Sequence, residues 1–189
     1  MSEFLYRNRR ATSVENERIR VIVTAEGGHI AAIIHKATGV NPLWTPPWPS
    51  IEPSTYDRVR NAEYGTSDEA IVLSGIMGHS ICLDTYGIPS PEEFAAGMPV
   101  HGEAGVVPYT LHLGADSLKL RAVLPLAQLG FRREIHLPGH EACPSARVRR
   151  KPLQLRSAHC LDPARNTRSA ISGARKDPVP HVCEPFESN

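Results

Sequence analysis

Arg18-Ile19-Arg20-Val21-Ile22-Val23-Thr24, then Ala25-Glu26-Gly27-Gly28-His29, then Ile30-Ala31-Ala32-Ile33-Ile34-His35, is the stretch that decides the fold. Ile19, Val21 and Val23 alternate with Arg18, Arg20 and Thr24, the two-residue period of a strand with one buried face. Ile22 breaks the polar face. Gly27-Gly28 supplies the positive-φ freedom of a tight reversal, and residues 30–35 are β-branched enough to return as an antiparallel partner. A second hairpin is expected from 106–113 and 118–124 around the turn Gly114-Ala115-Asp116-Ser117, with Tyr109, Leu111 and Leu113 facing Leu118, Leu120 and Ala122. Residues 130–137 add another strand, Phe131, Arg133, Ile135 and Leu137 alternating with Arg132, Glu134 and His136. The pattern predicts an all-β fold, an antiparallel β-sandwich over residues 15–141 preceded by an extension over 1–14.

Between the hairpins the chain changes character. Residues 45–54 carry too many prolines for a helix or a central strand and read as an extended cover. Residues 70–74 are short and apolar, as a buried strand is. Ser90, Pro91 and Glu93 have the spacing of an N-cap, a first helical position and a capping box, so one or two helical turns are expected there. From residue 142 no period of either kind is sustained. That composition cannot bury enough apolar surface to offset about 1–2 kcal/mol of backbone entropy per ordered residue, which predicts a disordered tail over 142–189.

A length of 189 residues is that of one domain, and 17 prolines with 14 glycines suit a turn-rich β protein. The net charge of +1 provides no overall field for nucleic acid or anionic lipid, so any basic patch is local. The first ten residues lack the apolar run of a secretory signal, and no segment approaches the roughly 20 apolar residues of a membrane span; a soluble, cytoplasmic protein is the expectation. Cys82, Cys143, Cys160 and Cys183 are expected as reduced thiols. Their spacing from His140, His159 and His181 matches no structural zinc site, so no metal is expected. The tail's arginines and lysines have no interleaved aromatic rings, which makes a basic-tail nucleic-acid partner the weaker alternative.

Polar and titratable side chains concentrate in Gly78-His79-Ser80-Ile81-Cys82-Leu83-Asp84 and again in His101-Gly102-Glu103. Loops aim such groups where strands cannot, and a hydroxyl-rich ligand is the first candidate. The order Gly27-Gly28-His29-Ile30, Asn41-Pro42-Leu43-Trp44 and Pro99-Val100-His101-Gly102-Glu103, ahead of a β-rich run, resembles the galactose mutarotase-like (aldose 1-epimerase-like) superfamily over residues 15–140. The resemblance implies a large antiparallel sandwich with an open sugar cleft, no metal and no cofactor, and a histidine acid with a glutamate base in active members. It places His101 as a sugar-binding histidine and assigns no position to the catalytic pair. His101 and Glu103, on one face if their segment is extended, with His79, Asp84 and Trp44, are the expected sugar-binding residues. The expected function is carbohydrate binding with impaired epimerase activity by an amino-terminal part of that fold, the alternative being a non-catalytic sugar-binding module. Uncovered strand edges predict self-association. Codons compatible with residues 156–176, read one nucleotide on, encode strand-like text, so the reading frame is expected to be lost between about Gly139 and Arg156.

Overall fold

In the computed structural model, described for residues 3–83, 85–137, 139 and 144–152, the alternation of 19–24 becomes strand β3 (Ile19–Thr24). It lies between β2 (Arg9–Glu15) and β4 (Ile30–His35), and β1 (Phe4–Tyr6) completes a four-stranded antiparallel sheet in the order β1-β2-β3-β4. The β3–β4 hairpin pairs Val21 with Ile33 and Ile22 with Ala32, and shifts register between Ile22 and Val23. Gly27 (φ 71°) and Gly28 (φ 54°) close the reversal; a Cβ on Gly28 would come within 2.9 Å of the Tyr109 ring. Residues 4–15, expected largely outside the sandwich, are instead its first two strands, because β2 supplies the hydrogen-bonding edge that β3 lacks on that side.

The second sheet runs β5 (Thr110–Leu113), β6 (Ser117–Leu124), β7 (Leu129–His136) and β8 (Ser145–Pro152), also antiparallel and in chain order. Leu111 stands opposite Leu120 and Leu113 opposite Leu118, as the hairpin pattern requires. Leu113 is exposed at the sheet's end. Strand β8 falls where an irregular tail is expected. All eight of its residues are exposed, so no burial imposes a period on its sequence, and its place is set by backbone pairing with β7. The rest of the tail, from residue 153, lies outside the described residues, as do Cys143, Cys160 and Cys183 and part of the span between about Gly139 and Arg156 to which the frame change is assigned.

Both sheets contribute to one core. Val14, Ile19, Val21, Val23 and Ile30 pack with Tyr109, Leu111, Leu118, Leu120, Phe131 and Ile135, which makes the architecture an all-β sandwich. The first sheet carries a second apolar cluster on its other face, from Ala11, Ile22, Ala31, Ala32 and Met77, with Phe4, Tyr6 and Ile34 beside it. Ile22, out of phase with its neighbours' alternation, belongs to this outer cluster.

The excursion between β4 and β5 covers that face. Residues 70–75 form a helix, α1 (Ala70–Gly75), where a buried strand is expected. Six apolar residues have no periodicity that separates the two states. Here the backbone is satisfied locally, through bonds such as Leu73 N–H to Glu69 C=O and Ile76 N–H to Val72 C=O. Buried Arg9 fastens the cover to the sheet: it donates to Glu52 Oε2 (3.0 Å), to the Glu26 carbonyl (2.8 Å) and to the Gly75 carbonyl. Glu26 in turn accepts from the Ser54 hydroxyl (2.7 Å) and amide (2.9 Å). The expected helix is present as α2 (Pro91–Ala95), with both halves of its capping box formed between Ser90 and Glu93.

Candidate functional site

His29, between β3 and β4, organises the loops at this end of the sandwich. Its ring is fully buried; Nε2–H donates to the Gly105 carbonyl (2.9 Å), and Nδ1 accepts from the Met77 amide (3.3 Å). Burial pushes its pKa down to about 4, against the smaller opposing effect of the Gly105 bond, so the imidazole is neutral near pH 7. A neutral ring with one donor and one acceptor suits these two partners. His29 thereby ties the loop at 77 and the loop at 105 to one point. A backbone bridge between Ile30 and His79, with bonds of 3.0 and 3.1 Å, holds the start of the intervening segment against β4.

These constraints leave a cavity of about 140 Å³, its polar lining supplied by His29, Ser80, Cys82, Tyr86 and His101. His101 is half-buried and sits at φ 64°, a left-handed conformation that few non-glycine residues adopt. Two bonds hold it there: its own amide donates to the Gly87 carbonyl (2.8 Å), and its Nδ1 accepts from the Gly87 amide (3.1 Å). With Nδ1 occupied as an acceptor, the neutral ring carries its proton on Nε2. His101 is thus set as a hydrogen-bond donor. The Tyr86 ring lies edge-on to it at 5.6 Å between centroids and is 88% exposed, presenting an open aromatic face beside that donor.

Of the five residues expected to bind sugar, His101 alone is seen to line this cavity. Glu103 is buried, and its Oε2 accepts from the Ala127 amide (2.9 Å), joining the segment to the β6–β7 turn. The extended geometry that would align it with His101 is not adopted. Positive φ at His101 and Gly102 (83°) turns the chain into a short 3-10 helix at Glu103–Gly105, which carries the carboxylate inward. His79 is exposed and engaged through its backbone. Trp44 packs edge-on against Trp48 at 5.8 Å, while Trp48 Nε1–H donates to the Leu73 carbonyl (3.0 Å). Asp84 lies outside the described residues. Tyr86 was missed in the sequence reading. Its legible signal is an aromatic residue directly before a glycine, in the same polar loop.

The cavity is smaller than the roughly 300–1,000 Å³ of sites that engulf a small molecule. It can take one polar substituent while the body of a ligand rests outside on Tyr86. Among the described residues no carboxylate lines it, and no three potential metal ligands cluster anywhere. No described helix is long and apolar enough to cross a membrane.

Compared with known proteins, the chain matches no family profile and no curated sequence. One solved structure, 4-alpha-glucanotransferase from Thermococcus litoralis, is similar over 68% of this chain and 20% of that chain, at 16% identity and a TM-score of 0.35. The chain spans a small part of that protein.

Proposed function

We propose that this chain is a mutarotase-like β-sandwich module that binds carbohydrate, with His101 and Tyr86 at the contact. The observation that carries the reading is the His101 imidazole, which lines a small cavity beside an exposed aromatic ring and whose Nδ1 is engaged by the Gly87 amide, leaving Nε2 as the donor of the neutral ring. A donor next to an aromatic face suits a pyranose, which offers hydroxyl oxygens on its rim and C–H groups on its face. Anomer exchange needs an acid and a base on opposite sides of the sugar, and the described lining supplies His101, a second histidine, His29, whose ring nitrogens are both engaged by backbone, and no carboxylate. The proposed role is therefore binding, with anomer exchange weak or lost.

Titration calorimetry with glucose, galactose and short neutral oligosaccharides tests this. A saturable interaction is expected that weakens about tenfold in His101→Gln and in Tyr86→Ala, the scale of one lost charge-free hydrogen bond or one stacking contact. Binding that is unchanged in both variants overturns the site. Polarimetry on the same sugars reports anomer exchange, and a rate comparable to that of an acid–base epimerase would return the chain to the enzymes.

A further inference from the structure

The outer face of the second sheet carries a row of guanidiniums in register. Arg121 on β6 stands opposite Arg132 on β7, which stands opposite Arg149 on β8. Neighbouring strands are about 4.8 Å apart, so three like charges sit side by side across the sheet. Directly opposed like charges destabilise a sheet. The next row pairs Lys119 with Glu134 and Glu134 with Arg147, and the row on the other side is Val123, Gly130 and Lys151. Glu134 is already shared among Lys119 (3.3 Å), Arg132 (3.7 Å) and His136 (3.3 Å). Arg121, Arg147, Arg149 and Lys151 form no ion pair among the described residues.

Protection of an exposed edge accounts for cations on β8, since charged edge strands resist pairing with other chains. It does not account for Arg121 and Arg132, which lie on interior strands. The face is also shaped. A cavity of about 720 Å³ opens over Gly130, walled by Pro108, Thr110 and Val123 and rimmed by Arg121, Arg132, Arg149 and Lys151, and its size is that of a ligand site. Gly130 contributes no side chain, which leaves the floor open.

We infer that this face binds an oligosaccharide bearing carboxylate groups, its sugar rings over Gly130 and Val123 and its carboxylates on the row Arg121–Arg132–Arg149. Guanidinium and carboxylate are matched for paired hydrogen bonds, which is why arginine rather than lysine suits the row. The occupant is taken to be a polyanionic sugar rather than single-stranded nucleic acid because no aromatic side chain stands in the three rows, and Phe131, which also borders the cavity, is buried in the shared core and offers no exposed ring to stack on bases. The inference extends the carbohydrate reading to a second surface through a separate set of residues. Either can fail alone.

The test uses the full chain and three probes at low ionic strength: an oligogalacturonate, its neutral methyl ester, and a short single-stranded DNA. The oligogalacturonate is expected to bind, at least about tenfold more tightly than the ester, and to be displaced by salt. The double variant Arg121→Gln/Arg149→Gln is expected to lose about tenfold, from weakened charge-assisted bonds. Gly130→Val fills the floor while keeping every charge, and a Cβ there meets nothing closer than the Lys151 carbonyl at 3.4 Å, so the variant should fold and lose binding. Equal binding of acid and ester, affinity unaltered in both variants, or DNA binding as tight as the acidic sugar's and indifferent to Gly130→Val, each overturns the proposal.

Discussion

The two sheets have the same number of described strands and the same antiparallel order, yet they are finished differently. The first is covered on both faces: the shared core lies on one side, and the Ile22, Ala32 and Met77 cluster under the β4–β5 excursion lies on the other. Among the described residues the second is covered on one face only, and its other face is cationic. Each sheet also contains a buried arginine. Arg9 is fully supplied with acceptors, whereas Nε and Nη1 of Arg133, on the core face of β7, meet no hydrogen-bond partner among the described residues. Burial pushes both guanidiniums below their ordinary pKa, but Glu52 and Glu26 oppose this at Arg9, while at Arg133 the opposing influence is Tyr109 alone. The contrast teaches that in this fold a buried charge serves stability where a cover supplies partners, and costs stability where it does not.

The sharpest way to break that contrast is Arg9→Met. Removing the guanidinium leaves Glu52 and two carbonyls facing a thioether, and urea denaturation is expected to show a loss of about 3–5 kcal/mol, the scale of breaking a buried pair. A neutral result would mean the cover is held by apolar packing alone.

The next largest effect is acid sensitivity centred on His29. Its folded pKa, about 4, lies below its unfolded value of 6.5, so the unfolded chain takes up the proton first. The contribution is full above pH 6.5, declines as the pH falls towards 4, and amounts to about 3 kcal/mol. Denaturation midpoints measured across that window should fall steadily, and His29→Gln should flatten this part of the profile. An identical slope in the variant would assign the acid limb to other groups.

On the second sheet the sign reverses. Arg133→Met is expected to raise stability by about 1–3 kcal/mol, by removing a buried donor with unmet bonds. A loss of stability there would show that the guanidinium has a partner in solution. The smallest effect sharpens the comparison from the open face: Val123→Thr, at a position 56% exposed, should change stability by less than about 0.5 kcal/mol.

Much of this architecture was legible in the residues. Period-two alternation located β3, β6 and β7, and Gly27-Gly28 located the first reversal, because burial on one face writes itself directly into sequence. Strand β8 was illegible for the converse reason: with every residue exposed, no face is selected. Strand β2, whose Arg9, Ala11, Thr12 and Val14 are all buried, defeats alternation because the sheet is covered on both sides. Helix α1 is not separable from a strand in sequence, since its short apolar run carries no decisive period. That His101 lies in a loop beside a cavity follows from its sequence context, whereas the burial of Glu103 does not. Its inward turn depends on positive φ at His101, which the Gly87 bonds impose from a point distant in sequence.

The central claim is that His101 offers Nε2–H to a sugar. Long-range ¹H–¹⁵N correlation spectra of the imidazole ring, recorded near neutral pH with and without a bound saccharide, test it most directly. The neutral form of the ring is expected to carry its proton on Nε2 in the free protein, and the Nε2 resonance is expected to move on saccharide addition while Nδ1 keeps its acceptor signature. A ring protonated at Nδ1, or an Nε2 resonance unmoved at saturating sugar, would contradict it.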